Sequence, residues 1–204
     1  GEVRARYGDL FQKGAGIPLK LAGKWVSAPN RVEIKPFAFD LRQLRFRGEM
    51  RQSGGLMSLR GDFDPFDLEG LDTLFPRLRP LGLAGKVRIG LIANGAPAEV
   101  LKKNAQLQVT VEDGAATLPG GPIRIRDLGA FLLLTPRSAQ ISRSKARIGK
   151  SRLELEATLV DFSAPRIRFD LRAPTFLLED FLPKKRPPDK AAAADPPLIQ
   201  KASF

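Results

Sequence analysis

The chain is 204 residues long, 43% hydrophobic and 27% charged, enough for one large or two small domains with a substantial core. It contains no Cys and no His, which excludes disulfides, thiolate chemistry, Cys/His zinc sites and any His-based triad, and leaves the redox compartment undetermined. Lys and Arg outnumber Asp and Glu by 34 to 22, a formal +12, which favours an anionic partner such as nucleic acid or an acidic membrane surface.

Gly1–Gly16 carries no clear period, with Asp9-Leu10-Phe11 the only hint of a turn. Ile17, Leu19 and Leu21 then alternate, and a strand runs through Trp25-Val26 to a turn at Pro29-Asn30. Val32 and Ile34 predict a second strand. Phe37, Phe39 and Leu41 predict a third, continuing through Leu44 and Phe46 after a phase slip that suggests a bulge. Gly54-Gly55 predicts a hairpin between Arg45–Arg51 and Leu56–Phe63. Leu68, Leu71, Leu74 and Phe75 then recur at helical spacing, and Pro76 is expected to stop that helix.

Val87, Ile89 and Leu91 give the next strand, ended by Asn94-Gly95. Pro97–Lys103 reads as one helical turn or a loop. Leu107, Val109 and Val111 alternate against Gln106, Gln108, Thr110 and Glu112, and Asp113-Gly114 predicts a hairpin. Another turn is expected at Pro119–Pro122. Short strands are expected at Ile123–Ile125, Ala130–Thr135, Ala139–Ser142 and Ala146–Ile148. Ser151–Pro183 holds the clearest pattern. Leu153, Leu155, Ala157 and Leu159 oppose Arg152, Glu154, Glu156 and Thr158; after a Pro turn, Ile167, Phe169 and Leu171 oppose Arg166, Arg168, Asp170 and Arg172. Side chains alternate across a strand, so each strand has one apolar and one charged face.

Roughly a dozen short strands at about 8–12-residue spacing predict an antiparallel all-β chain. No apolar run approaches the length of a membrane-spanning helix; the longest, Ala130–Leu134, is strand length. Residues 184–204 are rich in Pro, Ala and Lys and read as a linker or tail. Gly1 is not an initiator Met and no signal peptide follows it, so the chain is expected to be an excised segment or a processed product. A weak internal repeat relates Leu59–Pro76 to Ile167–Pro183, each a strand leading into a Leu/Phe run that stops at Pro. The body, 1–183, is thus expected as one array or as two similar modules, 17–80 and 81–183.

The strand, Leu-rich run and Pro, followed by Leu81-Gly-Leu-Ala-Gly-Lys-Val87, resemble the C-terminal repeat region of the AsmA-like family. So do Gly95–Glu99, Val111–Pro119, Ile123–Phe131, Arg147–Leu153 and Asp161–Ile167, in that order. The resemblance covers Gly23–Pro183. It implies kinship with bridge-like lipid transfer proteins, in which a curved β-sheet shelters acyl chains between two membranes. It also implies a bacterial periplasmic location, with an inner-membrane anchor outside this chain. The N-terminal anchor usual in that family is missing here.

From alternation alone a closed β-sandwich is the favoured reading, although a trough whose apolar side meets lipid shows the same alternation. With the resemblance added, the expected fold is mainly β: an antiparallel, strongly twisted sheet curled into an open groove or half-barrel, with Leu68–Phe75 and Phe176–Leu182 as short helical lids. The expected lining is Val87, Ile89, Leu91, Leu107, Val109, Val111, Leu153, Leu155, Leu159, Ile167, Phe169 and Leu171. Expected partners are phospholipid or another acyl-chain lipid, an anionic membrane surface, and further repeats or envelope proteins. No catalysis, cofactor or metal is expected. The alternative is a structural β-module with a closed core that scaffolds a larger envelope protein.

Sharper chemical readings fail on the residues. Gly149-Lys150-Ser151 lacks the upstream Gly of a phosphate-binding loop, that position being Ser144, and a strand rather than a helix follows. Asp62, Asp64 and Asp67 do not make a calcium loop, because Pro65 and Phe66 interrupt them. Glu154 and Glu156 share a strand face with Arg152 and read as an ordinary charged surface rather than a glycosidase pair. Arg42, Arg45 and Arg47 flank Leu44 and Phe46, but strand phase buries the aromatic ring, so no nucleic acid is expected.

Overall fold

A computed structural model describes residues 5–7, 11–14, 16–118 and 123–182. Two short strands, β1 (Ala5–Tyr7) and β2 (Phe11–Lys13), pair antiparallel with each other. Ten longer strands follow: β3 (Leu19–Ala28), β4 (Arg31–Leu41), β5 (Leu44–Ser53), β6 (Leu56–Asp67), β7 (Ala84–Gly95), β8 (Ala105–Thr117), β9 (Arg124–Leu134), β10 (Ser138–Ile148), β11 (Ser151–Val160) and β12 (Arg166–Thr175). They form one antiparallel sheet in strict chain order, with β3 at one edge and β12 at the other. The edges do not pair with each other, so the sheet is not closed. Each strand makes its extensive contacts with its sheet neighbours, and among the described residues no second sheet packs against either face. The expected mainly-β antiparallel class is therefore correct at the level of one open sheet. The Pro119–Pro122 turn and the 184–204 tail lie outside the described residues.

Local chemistry sets the hairpins. Gly54 and Gly55 have φ of 56° and 77°, both positive as a two-residue turn between twisted strands requires. Asn30 takes the same left-handed conformation at φ 63°, which Asn tolerates better than most residues. The sequence reading misplaced a boundary here. Val32 and Ile34 belong to the same strand as Phe37–Leu41, with a register shift between Ile34 and Phe37 at a cis Lys35–Pro36 peptide. The break falls instead at Arg42-Gln43, where Arg42 has φ 53° and Leu41 pairs with Leu44 across the turn.

Asp113-Gly114 is not a hairpin. β8 continues through it, and the pairing with β7 and β9 shifts at this point, with Asp113 at φ 51°. The four short strands expected between Ile123 and Ile148 are two long ones, β9 and β10. Asp127 and Arg143, at φ 51° and 52°, sit in bulges inside them. A bulge adds one residue to one strand and resets the alternation, which mimics a strand end in sequence.

The Leu-rich run forms two 3-10 helices, Leu71–Thr73 and Pro76–Leu81. Pro76 opens the second rather than stopping the first, consistent with its fixed φ and missing N–H at a first helical position. Leu71 and Leu74 are buried. Together with Leu68, Phe75 and Leu78, Leu71 packs on Phe66 and Val87 to make the main core cluster. The segment is tied to the β4–β5 turn: Arg42 donates to Thr73 Oγ1, and Gln43 Nε2 donates to the Glu69 carbonyl at 3.2 Å. A third 3-10 helix, Leu178–Asp180, follows β12 and is tied to the β10–β11 turn. Strand, 3-10 segment and attachment to the preceding hairpin thus recur at both places. A single helical turn, α1 (Val100–Lys103), links β7 to β8, with Val100 buried.

Candidate functional site

Paired residues in a sheet share a face, so the register maps the faces directly. One row runs from Leu21 to Phe39, Phe46, Phe63 and Ile89. It continues through Val109, Leu132, Ile141 and Ala157 to Phe169. Every position in this row is apolar, and it crosses all ten strands. A second row joins Leu91, Leu107, Leu134, Ala139, Leu159 and Ile167. A third contains Phe66, Val87 and Val111, and Leu155 pairs with Leu171 beyond it. All the residues named as lining in the sequence, Leu153 included, therefore lie on one face.

Their surroundings differ. Val87 is 3% exposed and belongs to the core beneath the Leu-rich segment. Ile89, Val109 and Val111 are packed against the same cluster. Leu91, Leu107, Leu153, Leu155 and Leu159 are half-buried. On the edge strand, Ile167 and Phe169 are 65% and 67% exposed, and Leu171 is also exposed. The opposite edge matches it, with Leu21, Trp25 and Leu19 exposed.

The sequence reading missed Phe39, Phe46 and Phe63 in the first half of this face and Leu132, Leu134 and Ile141 in its middle. Alternation in Phe37–Leu41 was a usable signal; in β9 and β10 the bulges obscured it. The aromatic residues form a chain of edge-to-face contacts, Phe37–Phe46 at 6.0 Å, Phe46–Phe63 at 5.2 Å and Phe63–Phe66 at 6.4 Å. Gly48 and Gly61 pair with each other beneath the Phe46 ring, and a Cβ on Gly48 would lie 2.9 Å from Phe46 Cε1.

The opposite face is charged and largely self-compensating. Glu33 accepts from Arg31 at 2.7 Å and Arg51 at 3.1 Å. Lys35 meets Glu49 at 2.7 Å and Arg47 meets Asp40 at 2.5 Å. The Arg31 hydrogen bond holds the Glu33 carboxyl below its ordinary pKa, and Arg47 does the same for Asp40. Phe131 and Leu133 depart from the pattern, lying in register with Thr110 and Ser142, and with Gln108 and Gln140.

Gly149-Lys150-Ser151 makes the β10–β11 turn, and the amides of Lys150 and Ser151 are already taken. Asp180 Oδ2 accepts from Lys150 N at 2.9 Å, Ser151 N at 2.8 Å and Ser151 Oγ at 2.8 Å. The Ser151 side chain, first among the causes, holds the Asp180 carboxyl below its ordinary pKa. Ser151 Oγ also accepts from Leu177 N at 2.9 Å. Phe176 and Phe181 stack at 5.1 Å beside this joint, with Phe176, Leu178 and Leu182 exposed.

Among the described residues no group of three or more acidic side chains is placed to hold a metal ion, and no helix is long and apolar enough to cross a membrane. No family model, curated protein or solved structure matches this chain.

Proposed function

We propose that this chain binds phospholipid or a related acyl-chain lipid along its apolar sheet face and passes it on without a chemical step. The observation that carries this reading is the unbroken apolar row from Leu21 to Phe169, on a face that no second sheet covers among the described residues. Apolar area taken from water stabilises at about 25 cal/mol per Å², so an acyl chain laid across such rows needs no specific polar partner. The resemblance to AsmA-like repeats supports the same reading. In it the sheet curls into an open groove, the 3-10 segments act as lids at one end, and the protein works in the bacterial periplasm to support outer-membrane assembly. Headgroups stay in water near an anionic membrane surface, and the free edges of β3 and β12 accept further repeats or envelope proteins.

A scaffolding role is the second reading. It draws support from the packing of Leu71, Phe66 and Val87, where the chain's own side chains already fill the apolar face.

Native mass spectrometry of the protein purified from bacterial cells, with lipid extraction, separates the two. Ile167→Asp and Phe169→Asp are suitable probes, because both sites are exposed and the fold should survive. Co-purified phospholipid that disappears in these variants supports the lipid reading. A folded wild-type chain that carries no lipid, and does not crosslink to lipid from photo-reactive groups at 167 or 169, overturns it in favour of the scaffold.

A further inference from the structure

At several places on the polar face a basic residue has an acidic one directly across the ladder. Asp40 faces Lys20 and Arg45, Asp62 faces Arg47, and Glu33 faces Arg51. Glu49 faces Arg60, Lys86 faces Glu112, and Glu154 faces both Lys145 and Arg172. Opposite charges across a ladder stabilise it and like charges destabilise it.

Elsewhere the pairing differs: Arg88 lies across from Thr110, Arg168 from Thr158 and Glu156 from Asp170, and one row brings only basic residues together. Arg147 of β10 pairs directly with Arg152 of β11 on one side and with Arg126 of β9 on the other. Three arginines thus occupy directly paired positions on three adjacent strands, whose backbones span about 10 Å from first to last. Of the three, only Arg147 has a carboxylate within ion-pair reach among the described residues. Asp127 is engaged with Arg147 at 2.7 Å, Asp170 with Arg172 at 3.1 Å, and Asp180 with the β10–β11 turn. Glu154 is near Lys145 at 3.9 Å. Arg126 and Arg152 are exposed, and among the described residues neither has a carboxylate within ion-pair distance.

We propose that Arg126, Arg147 and Arg152 form a binding site for a phosphate-class oxyanion, on the sheet face opposite the apolar one. The planar guanidinium fork presents paired donors that match phosphate oxygens, and such charge-assisted bonds are the strong ones. A bound dianion would relieve the mutual repulsion that the bare row carries. Asp127 holds one member of the row in place through Arg147. The phosphate can belong to a lipid headgroup or be free in solution, since both present the same oxygens. The site stands apart from the lipid reading of the apolar face, because it uses different residues on the other side of the sheet.

The test uses inorganic pyrophosphate, by calorimetry at low salt, and flotation with phosphatidylcholine vesicles with or without phosphatidylglycerol. R126Q/R152Q is compared with R60Q/R88Q, which removes the same charge where a carboxylate is at hand, Glu49 across the ladder from Arg60 and Glu112 at 3.8 Å from Arg88. Circular dichroism and thermal melting check that both variants fold. The expected result is binding by the wild type that weakens about tenfold in R126Q/R152Q and changes less than about twofold in R60Q/R88Q. If vesicle flotation is what R126Q/R152Q loses, the phosphate is that of a headgroup. If only pyrophosphate binding is lost, the site serves a free anion. Equal losses in both variants would mean that net charge alone attracts anions, and would overturn the proposal. So would an absence of wild-type binding to either probe, or a tighter, R126Q/R152Q-insensitive grip on single-stranded RNA.

Discussion

Gly61 and Ser151 carry the tightest local constraints. Gly61 lies under the Phe46 ring and against the Arg47 carbonyl, so a methyl group there has no space. Gly61→Ala is expected to destabilise the fold by about 1–3 kcal/mol, through displacement of Phe46; urea denaturation measures this directly. Ser151 is fully buried and both donates and accepts at the joint with Leu177 and Asp180. Its replacement by Ala leaves the Leu177 amide without that acceptor and should cost about 1–2 kcal/mol by the same measurement. The joint also responds to acid. Asp180 titrates below its ordinary value in the folded chain. Its contribution is therefore complete above the ordinary Asp pKa, about 4, and is lost as pH falls through the lower folded value. Amide exchange at Lys150 and Ser151 should stay slow from pH 7 to pH 5, after correction for intrinsic rates, and rise towards pH 2. Asp180→Ala should give fast exchange throughout; slow exchange in that variant would mean that the carboxylate is not what protects the turn.

Among the elements, the Leu-rich segment between β6 and β7 anchors one end of the sheet. Leu74 is fully buried there, so Leu74→Ala should cost about 2–5 kcal/mol, read as a lower urea midpoint. The bulges are a separate test. Asp127 takes a left-handed conformation that a β-branched residue resists, so Asp127→Val should destabilise by about 1–2 kcal/mol, whereas Asp127→Gly should cost less. These bulges also explain what could be read from sequence. β3, β7, β11 and β12 were legible because their apolar residues keep an unbroken two-residue period. β9 and β10 were split because Asp127 and Arg143 each insert one residue in mid-strand. Asp113-Gly114 carries hairpin chemistry, yet the chain uses its positive φ for a bulge; the dipeptide records a backbone conformation and not its setting. The face shared by Leu153, Leu155 and Ile167 was legible for the same reason of period. Its continuation through Phe46 and Phe63 depended on the Arg42 turn, which no Gly or Asn announces. The row of Arg126, Arg147 and Arg152 was not legible at all, since it exists only through the register of three strands.

For the molecule as a whole, an open sheet means two long edges and an apolar face that remains partly wet. Native protein should brighten an environment-sensitive dye such as anilinonaphthalene sulfonate without denaturant. Ile167→Lys combined with Phe169→Lys should reduce that signal by roughly half, with the melting temperature little changed. An unchanged signal would place the dye elsewhere. The charge of +12 makes moderate salt necessary in such work, because the dye is an anion and exposed charges more than about 10 Å apart are screened at 0.1 M.

Strict chain order of the strands has one further consequence. Every ladder joins neighbours in sequence, so no strand is inserted between two others. The width of the sheet is then simply a count of strands, at about 4.8 Å each. Adding or deleting one hairpin at an edge would change that width by about 10 Å and leave every other ladder as it was. Width in this architecture can be inherited in units, and a ribosome could lay it down one strand at a time, the newest strand always forming the growing margin.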